Sequence, residues 1–408
     1  MKVFFHTFGC RANQYDTELV RQAFADQGAT VVTAPGDADV AVVNSCTVTR
    51  ESEAKMRRFI GRLARGRGSE LETVVMGCAA ARDRGAIAAL PSVRAVVGGA
   101  DPAAVVAAAG LARPTALRGR PGGLRRFGAH ARAWLRIQDG CDEHCTFCAT
   151  TLARGANRSR AIADLVAEAT GLAEHHVEIV LTGIHIGTYG RDLAGASLGA
   201  LVEALVTAVP AVRFRLSSVE ATEVDDRLAR LLIDAPRHVA PHLHAPLQSG
   251  SNRQLRRMGR HWYTAETYRA RVAWLAERLP VFGLGADVIA GFPGETDSDH
   301  RATVALVRAL PFTYLHVFPF SARPDTAAGR LPDPVPAAAI RARAAELRAL
   351  GLEQGAAHRR RRAGALADGV ASGRQGGDLE MLTEDYLSLH VPIAGWDGRP
   401  RFSVRVTP

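Results

Sequence analysis

Three thiols stand within eight consecutive residues of this chain. Cys141, Cys145 and Cys148 are spaced Cys-x3-Cys-x2-Cys, and they make up half of the six cysteines in 408 residues. Thiolates grouped this closely in a chain that otherwise has few cysteines are typical of metal ligands. The spacing therefore predicts a metal site on the segment that carries them.

The number of protein ligands decides which metal such a segment would hold. Structural zinc takes four ligands, whereas three thiolates on a four-iron cluster leave one iron free to bind another molecule. The thiols alone leave three interpretations open. They are a cluster with an open iron, a zinc site completed by His144 or a distant His, and a disulfide with a spare thiol.

The other three cysteines, Cys10, Cys46 and Cys78, each follow a short apolar run. Apolar runs without alternation are typical of buried parallel strands, and open α/β sheets bind ligands at the carboxyl ends of such strands. We therefore expect these thiols to converge and to hold a second cluster with an open iron; the alternative is three unrelated buried cysteines. The predicted strands are Val3–Phe5, Val31–Val32, Val40–Val43 and Val74–Met76.

A helix is predicted between the first two strands. Its apolar face runs from Leu19 to Phe24, Asp16 is placed to cap its start, and Gly28 is placed to end it. Alternating strands and helices predict a small doubly wound α/β domain for residues 1–100.

From Ala133 to Ala328 the chain alternates strand and helix about six times. A closed barrel of this type needs about eight such units, so we expect an open, partial (β/α)6 barrel. The predicted strands are Ala133–Ile137, Val177–Leu181, Arg213–Ser217, His242–Leu247, Val281–Ile289 and Tyr314–Phe318.

Short Gly- and Ser-containing segments follow these strands, at the end of the barrel where chemistry is expected. Glycine lets a backbone approach a ligand closely, although Gly and Ser are also common turn residues. The pair His242 and His244, and the pair Asp287 and Ile289, each face one side of a strand; a core role and a site role are equally open, and no catalytic role is assigned to them. The candidate cofactor-binding residues are Phe147, Thr182, Gly183, Ser218, Glu220, Gln248 and Gly291.

The last part of the chain changes its pattern twice. A Pro-rich joint at residues 331–336 precedes a predicted helix that ends in Arg359–Arg362, and apolar residues then alternate with polar ones from Leu387 to Val391 and from Phe402 to Val406. We expect a small antiparallel β-domain, a type that often binds oligonucleotides; the alternative is a capping sheet without a ligand.

The formal charge of +10 comes mainly from clustered arginines. Guanidinium groups match phosphate geometry, so a nucleic-acid partner is predicted; the alternative is an ordinary surface rich in Arg. No apolar run reaches about twenty residues and the N-terminus does not resemble a signal peptide, so we expect no membrane partner and a cytoplasmic location. The clusters are Arg125–Arg126, Arg154 with Arg158 and Arg160, Arg253 with Arg256, Arg257 and Arg260, and Arg359–Arg362.

The thiol segment, with Phe147 before its last Cys, resembles the radical S-adenosylmethionine (SAM) superfamily, and the order of motifs along the whole chain resembles the methylthiotransferases. Three further segments start at Leu181, His242 and His316. They look most like those of the members that modify threonylcarbamoyladenosine at position 37 of tRNA. The segment around residues 383–387 looks like a short TRAM domain. The motifs are Gly9-Cys10-x2-Asn13-x2-Asp16, Asn44-Ser-Cys46-Thr-Val-Thr and Gly77-Cys78.

Two positions depart from the family pattern. Ala149-Thr150-Thr151 stands where relatives carry two branched apolar residues and a proline, and Ala245 replaces a larger apolar residue. Both departures lie close to motifs of the expected site, so they bear on the substrate more than on the chemistry.

The resemblance implies a radical SAM transferase that converts N6-threonylcarbamoyladenosine to its 2-methylthio form at tRNA position 37. Cys141, Cys145 and Cys148 would hold a [4Fe-4S] cluster that binds and reductively cleaves SAM. The other three cysteines would hold an auxiliary [4Fe-4S] cluster that presents the sulfur. No catalytic residue beyond these ligands is expected.

The resemblance also implies partners and a domain order. The partners are the anticodon stem-loop of tRNA and an electron donor such as a flavodoxin or ferredoxin, and the chain is expected to be a monomer. The alternatives are methylthiolation of isopentenyladenosine in tRNA or of a ribosomal-protein aspartate, and, from another class, a non-enzymatic zinc-stabilised RNA-binding protein. The predicted parts are 1–100 for the auxiliary cluster, 101–130 as a linker, 131–335 as the barrel, 336–362 as a helical connection and 363–408 as the TRAM-like β-domain.

Overall fold

In the computed structural model the chain forms two compact units. The first unit comprises Met1–Gly128, Gln138–Glu143 and Cys148–Arg158, and the second comprises Ala129–Ile137, His144–Phe147 and Ser159–Pro408. The structure describes residues 1–47, 50–66, 71–112, 123–323, 325–394 and 396–407. Val48 and Thr49 of the motif around Cys46, and residues 113–122 of the predicted linker, lie outside these ranges.

The first unit is built on a parallel sheet of five strands in the order β2-β1-β3-β4-β5. Four of these strands were predicted; the fifth was not, because its residues are half-buried and Arg94 interrupts the apolar run. The elements are β1 Lys2–Thr7, α1 Arg11–Asp26, β2 Thr30–Val32, β3 Val40–Ser45, α2 Arg50–Gly66, β4 Glu72–Gly77, β5 Val93–Gly98 and α3 Pro102–Ala108.

Apolar side chains cover both faces of this sheet, as a doubly wound domain requires. On one face Phe24 of α1 packs edge-on against Phe5 of β1, with ring centroids 5.6 Å apart. On the other face Met56 and Ile60 of α2 pack over β3 and β4. Helix α3 occupies the start of the segment predicted as a linker.

The prediction that Asp16 caps the first helix is wrong. Helix α1 begins directly after the first strand, and its N-cap residue is Cys10. Asp16 instead lies inside the helix with only 1% of its surface exposed, because its carboxylate pairs with a buried arginine. Gly28, with a φ of +77°, follows the end of the helix as predicted.

Two short strands and a helix flank the segment with the three close thiols. They are β7 Gln138–Asp139, α4 Thr150–Arg154 and β8 Arg158–Ser159, and they follow β6 Arg132–Arg136, the first strand of the second unit.

The second unit contains six parallel strands in two groups of three, ordered β10-β9-β6 and β11-β12-β13. Parallel bridges from Phe214 to Val239 and from Ser218 to His244 join the two groups. The strands therefore form the open, partial barrel that was predicted, and the predicted fold class is confirmed. The elements are α5 Ile162–Ala173, β9 Glu178–Thr182, α6 Leu198–Ala208, β10 Arg213–Leu216, α7 Asp226–Asp234, β11 His242–His244, α8 Asn252–Arg257, α9 Ala265–Ala276, β12 Gly283–Ala290, α10 Asp297–Ala309 and β13 Tyr314–Pro319.

Strand β11 is shorter than the predicted His242–Leu247. Pro246 has no backbone N–H to donate, so the regular pairing cannot continue through it. Gln248 then takes a positive φ of +61° and donates its N–H to the Asp287 carbonyl at 2.8 Å. The chain thus leaves the sheet just where ligand-contacting residues were predicted.

A long helix and a four-stranded antiparallel sheet complete the second unit. The sheet, ordered β16-β15-β14-β17, contacts the amino ends of the barrel strands through a buried ion cluster. Arg213 and Arg215 of β10 ion-pair with Glu178 of β9, and they also donate to the carbonyls of Asp368 and Thr383. The elements are α11 Ala337–Arg362, β14 Leu366–Gln375, β15 Asp378–Leu382, β16 Ser388–Pro392 and β17 Arg401–Arg405.

Candidate functional site

The first unit brings Cys10, Cys46 and Cys78 to the carboxyl ends of β1, β3 and β4, which are neighbours in the sheet. Cys46 and Cys78 are buried, and Cys10 is exposed. The Sγ atoms of Cys10 and Cys78 lie 3.4 Å and 3.8 Å from the same atom, Oδ1 of Asn13. A Cβ added to Gly9 would lie only 3.0 Å from the Cβ of Cys46, so that thiol also borders the turn before Cys10. The expected convergence of the three thiols is therefore present in the first unit.

Asn13 is held so that its carbonyl oxygen faces the thiols. Its amide nitrogen donates to Asn44 Oδ1 at 2.9 Å and to the Ser45 carbonyl at 3.0 Å. Asn44 Nδ2 in turn donates to the backbone carbonyl of Asn13 at 2.8 Å. Asn13 and Asn44 belong to the motifs around Cys10 and Cys46, and their mutual hydrogen bonds connect two of the strand ends that carry the thiols.

A buried arginine, Arg154, lies beside these three cysteines and contacts Cys78. Its Nε lies 3.2 Å from Cys78 Sγ, and its Nη2 lies 2.8 Å from Asp16 Oδ2 and 3.1 Å from Asn13 Oδ1. Its Nη1 reaches Asp139 Oδ1 at 3.2 Å. The side chain is only 7% exposed, so the guanidinium is committed to this site and is not a surface cation.

The charge of Arg154 acts on the thiol beside it. Burial raises the pKa of Cys78, and the nearby guanidinium of Arg154 partly offsets that rise. Burial alone would lower the pKa of Arg154, but Asp16, Cys78 and Asp139 outweigh it and raise that pKa. The arginine therefore keeps its charge and favours the thiolate form that a metal ligand needs.

Two of the three close thiols, Cys141 and Cys148, belong to the first unit. The Cys141 N–H donates to the Gly155 carbonyl at 3.0 Å, and the Thr150 N–H lies 3.4 Å from Cys148 Sγ. Gly140 has a φ of +72°, and a Cβ there would lie 1.9 Å from the Ala156 carbonyl oxygen. Glycine is therefore required just before the first of these thiols.

The departure from the family pattern at Ala149-Thr150-Thr151 forms the N-terminal part of α4, with Ala149 as the N-cap residue. This helix ends at Arg154. The atypical residues thus belong to the short helix that presents Arg154 to Cys78.

The third close thiol, Cys145, belongs to the second unit and also has an arginine beside it. Arg260 Nη1 lies 3.4 Å from Cys145 Sγ, and the same guanidinium forms a buried ion pair with Glu220. Trp262 Nε1 donates to the other oxygen of Glu220 at 3.0 Å, and Tyr263 OH lies 2.9 Å from Arg260 Nε. Burial raises the pKa of Glu220, and Arg260 offsets part of the rise.

The residues predicted to bind a cofactor lie at the carboxyl ends of the strands of the second unit or on its thiol segment. The Phe147 ring packs edge-on against Phe292, with centroids 6.4 Å apart. Thr182 is the last residue of β9, and Gly183 follows it. Ser218 is exposed and Glu220 is buried after β10. Gln248, four residues after β11, and Gly291, directly after β12, have positive φ values of +61° and +77°.

Several of the arginines grouped as candidate phosphate contacts are paired inside the protein. Arg160 pairs with Glu168 at 2.6 Å, and Arg362 pairs with Glu384 at 2.7 Å. Arg154 and Arg260 lie at the thiols, as described above. The arginines of those clusters that remain on the surface are Arg125, Arg126, Arg158, Arg253, Arg256, Arg360 and Arg361.

Sequence reasoning counted Arg154 and Arg260 only as charge and assigned them no place at the cysteines. Their sequence signals were weak, because each stands in an Arg-rich stretch with nothing to mark it as buried. Asn13 was part of a motif, but its contact with two thiols requires the folded sheet.

The described part of the chain contains no helix that is long and apolar enough to cross a membrane.

Two family models match this chain. Residues 2–98 match the uncharacterized protein family UPF0004, and residues 135–307 match the radical SAM superfamily. The first match spans the sheet with Cys10, Cys46 and Cys78, and the second starts in β6 and includes the three close thiols.

Curated relatives are similar over most of the chain. The threonylcarbamoyladenosine tRNA methylthiotransferase MtaB of Bacillus subtilis is 38% identical over 347 residues, which cover 82% of this chain and 76% of the relative. The protein of the same name from Aquifex aeolicus is 36% identical over 82% of this chain and 84% of the relative. The tRNA-2-methylthio-N(6)-dimethylallyladenosine synthase of Chlorobium luteolum is 31% identical over 91% of this chain and 86% of the relative.

Among solved structures, the radical SAM methyltransferase TsrM of Kitasatospora setae, with cobalamin and a [4Fe-4S] cluster bound, has a similar fold. It aligns with a TM-score of 0.60 and 16% sequence identity over 80% of this chain and 77% of that chain. At this identity the likeness concerns the fold alone.

Proposed function

The chain belongs to the radical SAM methylthiotransferase family and is a transferase, and we propose that its substrate is N6-threonylcarbamoyladenosine at position 37 of tRNA. The product would be the 2-methylthio derivative of this nucleoside. The pair of thiol sites, each with an arginine against a sulfur, supports the two-cluster chemistry, and the relatives named for threonylcarbamoyladenosine support the substrate. Membership of this family decides against a non-enzymatic zinc protein.

The residues at the first thiol site fit a cluster held by Cys10, Cys46 and Cys78. Three thiolates on a [4Fe-4S]2+ cluster give a net negative charge, and Arg154 supplies a buried positive charge with an N–H directed at Cys78. The three thiols come from adjacent strand ends, and the neighbouring motif residues fix Asn13 beside two of them. A structural zinc site would need a fourth ligand, whereas the groups found against Cys10 and Cys78 among the described residues include an amide oxygen and a guanidinium.

We propose that Cys141, Cys145 and Cys148 hold the second cluster, and each unit supplies a donor to one of these sulfurs. In the second unit Arg260 directs an N–H at Cys145, and Glu220 fixes that arginine from behind. In the first unit the Thr150 N–H is directed at Cys148. Hydrogen bonds to the sulfurs of an iron–sulfur cluster stabilise it and raise its reduction potential. When bound, the two [4Fe-4S] clusters and SAM would supply the radical and sulfur chemistry, which the protein itself does not perform.

The protein's own residues would bind, orient and protect the reactants. We assign the SAM contacts to Phe147, Thr182, Gly183, Ser218, Glu220, Gln248 and Gly291, which end or follow the barrel strands. Gly291 has a positive φ and leaves room for Ile340 of α11, and its N–H donates to Glu295 Oε2 at 2.8 Å. The surface arginines would contact RNA phosphates, and the adenosine would be unstacked to reach the barrel. A flavodoxin or ferredoxin would supply electrons.

The nature of the relatives supports threonylcarbamoyladenosine over the alternative nucleoside. Relatives named for threonylcarbamoyladenosine are 33–38% identical to this chain, whereas those named for the dimethylallyl nucleoside are 31–34% identical. These ranges overlap in part, so the decisive test must compare the two substrates directly.

Nucleoside analysis of tRNA tests the proposal. Mass spectrometry of tRNA from a strain that lacks this gene should show loss of the methylthio form of threonylcarbamoyladenosine and accumulation of its precursor. Complementation with the intact gene should restore the methylthio form, and the Cys145→Ala variant should not. An unchanged nucleoside profile, or loss of the methylthio form of isopentenyladenosine alone, would contradict the assignment.

The purified protein offers a second test. After anaerobic reconstitution it should contain about eight irons and absorb broadly in the visible range. Colourless protein that holds zinc instead would exclude the two-cluster assignment.

A further inference from the structure

A connected group of polar side chains lies on one face of strands β11, β12 and β13 in the barrel of the second unit. His244 Nε2 lies 3.0 Å from Asp287 Oδ1, and His316 Nδ1 lies 3.2 Å from the same oxygen. Tyr314 OH lies 3.0 Å from His244 Nδ1 and 2.9 Å from His242 Nε2. We call three of these residues, His244, Asp287 and His316, the His–Asp–His cluster.

The cluster lies between two well-packed regions of the barrel interior. On strand β12, Gly285 and Ile289 share the face of Asp287. A Cβ on Gly285 would collide with the Tyr314 ring, and Tyr314 in turn stacks on Tyr386, which lies between β15 and β16 of the antiparallel sheet. Ile289 packs with Phe292 and Phe147 of the thiol segment. The cluster thus lies between the amino end of the barrel, which the antiparallel sheet contacts, and the carboxyl end, where Phe147 packs.

Access increases along the cluster towards His316. The side chain of His244 is 8% exposed, that of Asp287 is 26% exposed, and that of His316 is 56% exposed. Phe318, two residues further along the same face of β13, is a large apolar side chain with 42% of its surface exposed. A molecule that enters from the carboxyl end of β13 would meet Phe318 and His316 before it reached Asp287 and His244.

Asp287 determines which ring nitrogens carry protons. Burial alone would raise the pKa of Asp287, but hydrogen bonds from His244 and His316 outweigh it and lower that pKa, so the carboxylate is ionised and can only accept. Its partners, His244 Nε2 and His316 Nδ1, must therefore donate. When His244 is neutral, its Nδ1 accepts from Tyr314 OH, and the Tyr314 oxygen can accept from His242 Nε2.

This assignment fixes the character of the accessible histidine. In the neutral ring of His316, Nδ1 donates to Asp287, so the other ring nitrogen, Nε2, bears a lone pair and can accept a hydrogen bond. The protein thus presents one oriented acceptor next to an exposed aromatic ring. A ligand that matches it must offer an N–H or O–H group close to an apolar group.

We propose that His316, oriented by Asp287 and His244, binds the polar N6 substituent of the modified adenosine and excludes an apolar one. This inference rests on the proposed function. The threonylcarbamoyl group carries a ureido N–H and a hydroxyl, either of which can donate to His316 Nε2, and a methyl group that suits Phe318. The dimethylallyl group has no hydrogen-bond donor, so it would cover His316 Nε2 from water without giving that nitrogen a partner.

The same three residues also have the composition of a metal site. Their ligand atoms lie within 4.8 Å of one another. The hydrogen bonds to Asp287 nevertheless account for the positions of both histidines without an ion. A recognition role is therefore favoured, and a bound cation becomes an outcome that the experiment must exclude.

Binding to anticodon stem-loop RNAs, without turnover, tests the proposal. Three RNAs that differ only at position 37 carry threonylcarbamoyladenosine, isopentenyladenosine or unmodified adenosine, and dissociation constants are measured at one fixed salt concentration with the cluster-loaded protein. The wild-type protein should prefer the threonylcarbamoyl RNA. His316→Phe should weaken binding of that RNA by about tenfold to a hundredfold, the value of one hydrogen bond in a partly buried site.

Selectivity distinguishes recognition from a merely structural role. His316→Phe should leave binding of the unmodified RNA unchanged and should strengthen binding of the isopentenyl RNA, because an apolar ring then faces an apolar group. His316→Gln, which can still accept a hydrogen bond, should restore part of the preference. His175→Phe, a change of an exposed histidine outside the barrel strands, should alter none of the three constants.

Three results would overturn the proposal. The first is an equal loss of affinity for all three RNAs in His316→Phe, and the second is an unchanged preference in that variant. The third is about one equivalent of zinc or manganese in the wild-type protein that is lost in His316→Phe and Asp287→Asn. If the wild-type protein instead modifies only the isopentenyl RNA, the proposed function itself fails, which the nucleoside analysis shows independently of any His316 variant.

Discussion

The two sets of thiols are placed by different parts of the fold. In the first unit Cys10, Cys46 and Cys78 are separated by more than thirty residues each, and a parallel sheet brings them together at adjacent strand ends. Cys141, Cys145 and Cys148 are neighbours in sequence, and a loop carries them. The position of the first set therefore depends on strand order and packing, whereas local sequence places the second set.

Despite this difference, both sites have the same electrostatic support. Arg154 lies 3.2 Å from Cys78 and is paired with Asp16, and Arg260 lies 3.4 Å from Cys145 and is paired with Glu220. All of these partners are buried or nearly so. The two sites therefore share a buried, paired arginine beside a sulfur, although their cysteines come from different parts of the chain.

Removal of one thiol from each site should have the largest effect and should separate the two sites. Cys78→Ala should abolish methylthiolation while SAM is still cleaved, because the second set is intact. Cys145→Ala should abolish both reactions. Each variant should hold about four irons after reconstitution instead of about eight. The measurements are iron content, 5′-deoxyadenosine and the modified nucleoside.

Thr170→Ala, a change of an exposed threonine on helix α5, is the control and should leave both reactions intact. The comparison between the sites would be wrong if Cys78→Ala stopped SAM cleavage as completely as Cys145→Ala while the cluster of the second set remained loaded. That outcome would mean that the two sites do not act separately.

A third buried arginine group, which contains no thiol, shows what such charges contribute to stability alone. Glu178 is fully buried between Arg213 and Arg215. Burial alone would raise the pKa of Glu178, but Arg215, Arg213 and Arg132 outweigh it and hold that pKa well below its ordinary value. Glu178→Gln should cost about 3–5 kcal/mol at neutral pH, because it leaves buried guanidinium groups without their carboxylate.

The pH dependence of this loss has a definite sign. A carboxylate whose pKa is lowered on folding stabilises the fold at pH values above its unfolded pKa, about 4.3, and loses that contribution as the pH falls towards the folded pKa. The difference between wild type and Glu178→Gln in urea unfolding should therefore shrink below about pH 4. A difference that grew on acidification would contradict the assigned ionisation.

The two arginines beside the thiols should have a smaller, electronic effect. Arg154→Gln and Arg260→Gln each remove a charged N–H donor from a cluster ligand, so each should lower the reduction potential of the cluster at its own site. A charged hydrogen bond of about 1–2 kcal/mol corresponds to about 40–90 mV for a one-electron couple. Redox titration followed by electron paramagnetic resonance measures both potentials in one sample.

The variants Arg154→Lys and Arg260→Lys keep the charge and lose the planar fork, so they should recover part of each potential. A shift of both potentials in either single variant would indicate that the sites are electrostatically coupled. Equal potentials in wild type and both glutamine variants would show that the arginines have only a structural role.

Much of this comparison was accessible from the sequence, for physical reasons that differ between its parts. The thiols, the strand ends that carry them and the six barrel strands were predicted because apolar runs and cysteine spacing are local patterns. Strand β5 was missed because its exposed Arg94 and half-buried residues weaken that pattern. Asp16 was misassigned as a cap because a buried carboxylate and an N-cap look alike without knowledge of its partner.

Local sequence patterns could not predict that Arg154 and Arg260 lie beside the thiols. Arg154 stands 76 residues from Cys78 and 138 residues from Asp16, and Arg260 stands 115 residues from Cys145. Only the folded chain distinguishes these buried arginines from exposed ones such as Arg158 and Arg256 in the same stretches. The cluster around Asp287 was likewise visible as residues on one strand face, but not as a network.

The smallest expected effect concerns the exposed arginines and sharpens the same contrast between buried and surface charge. Arg360 and Arg361 lie in the last turn of α11 and are exposed. If they contact RNA phosphates, each change to Gln should reduce the slope of log affinity against log salt by about 0.7–0.9 and weaken binding of all tRNAs alike. Arg154→Gln should leave that slope unchanged, because its guanidinium is occupied by Asp16, Asp139 and Cys78. An Arg154 variant with a lower slope would place that arginine on the RNA and would break the assignment of buried arginines to thiols and surface arginines to phosphate.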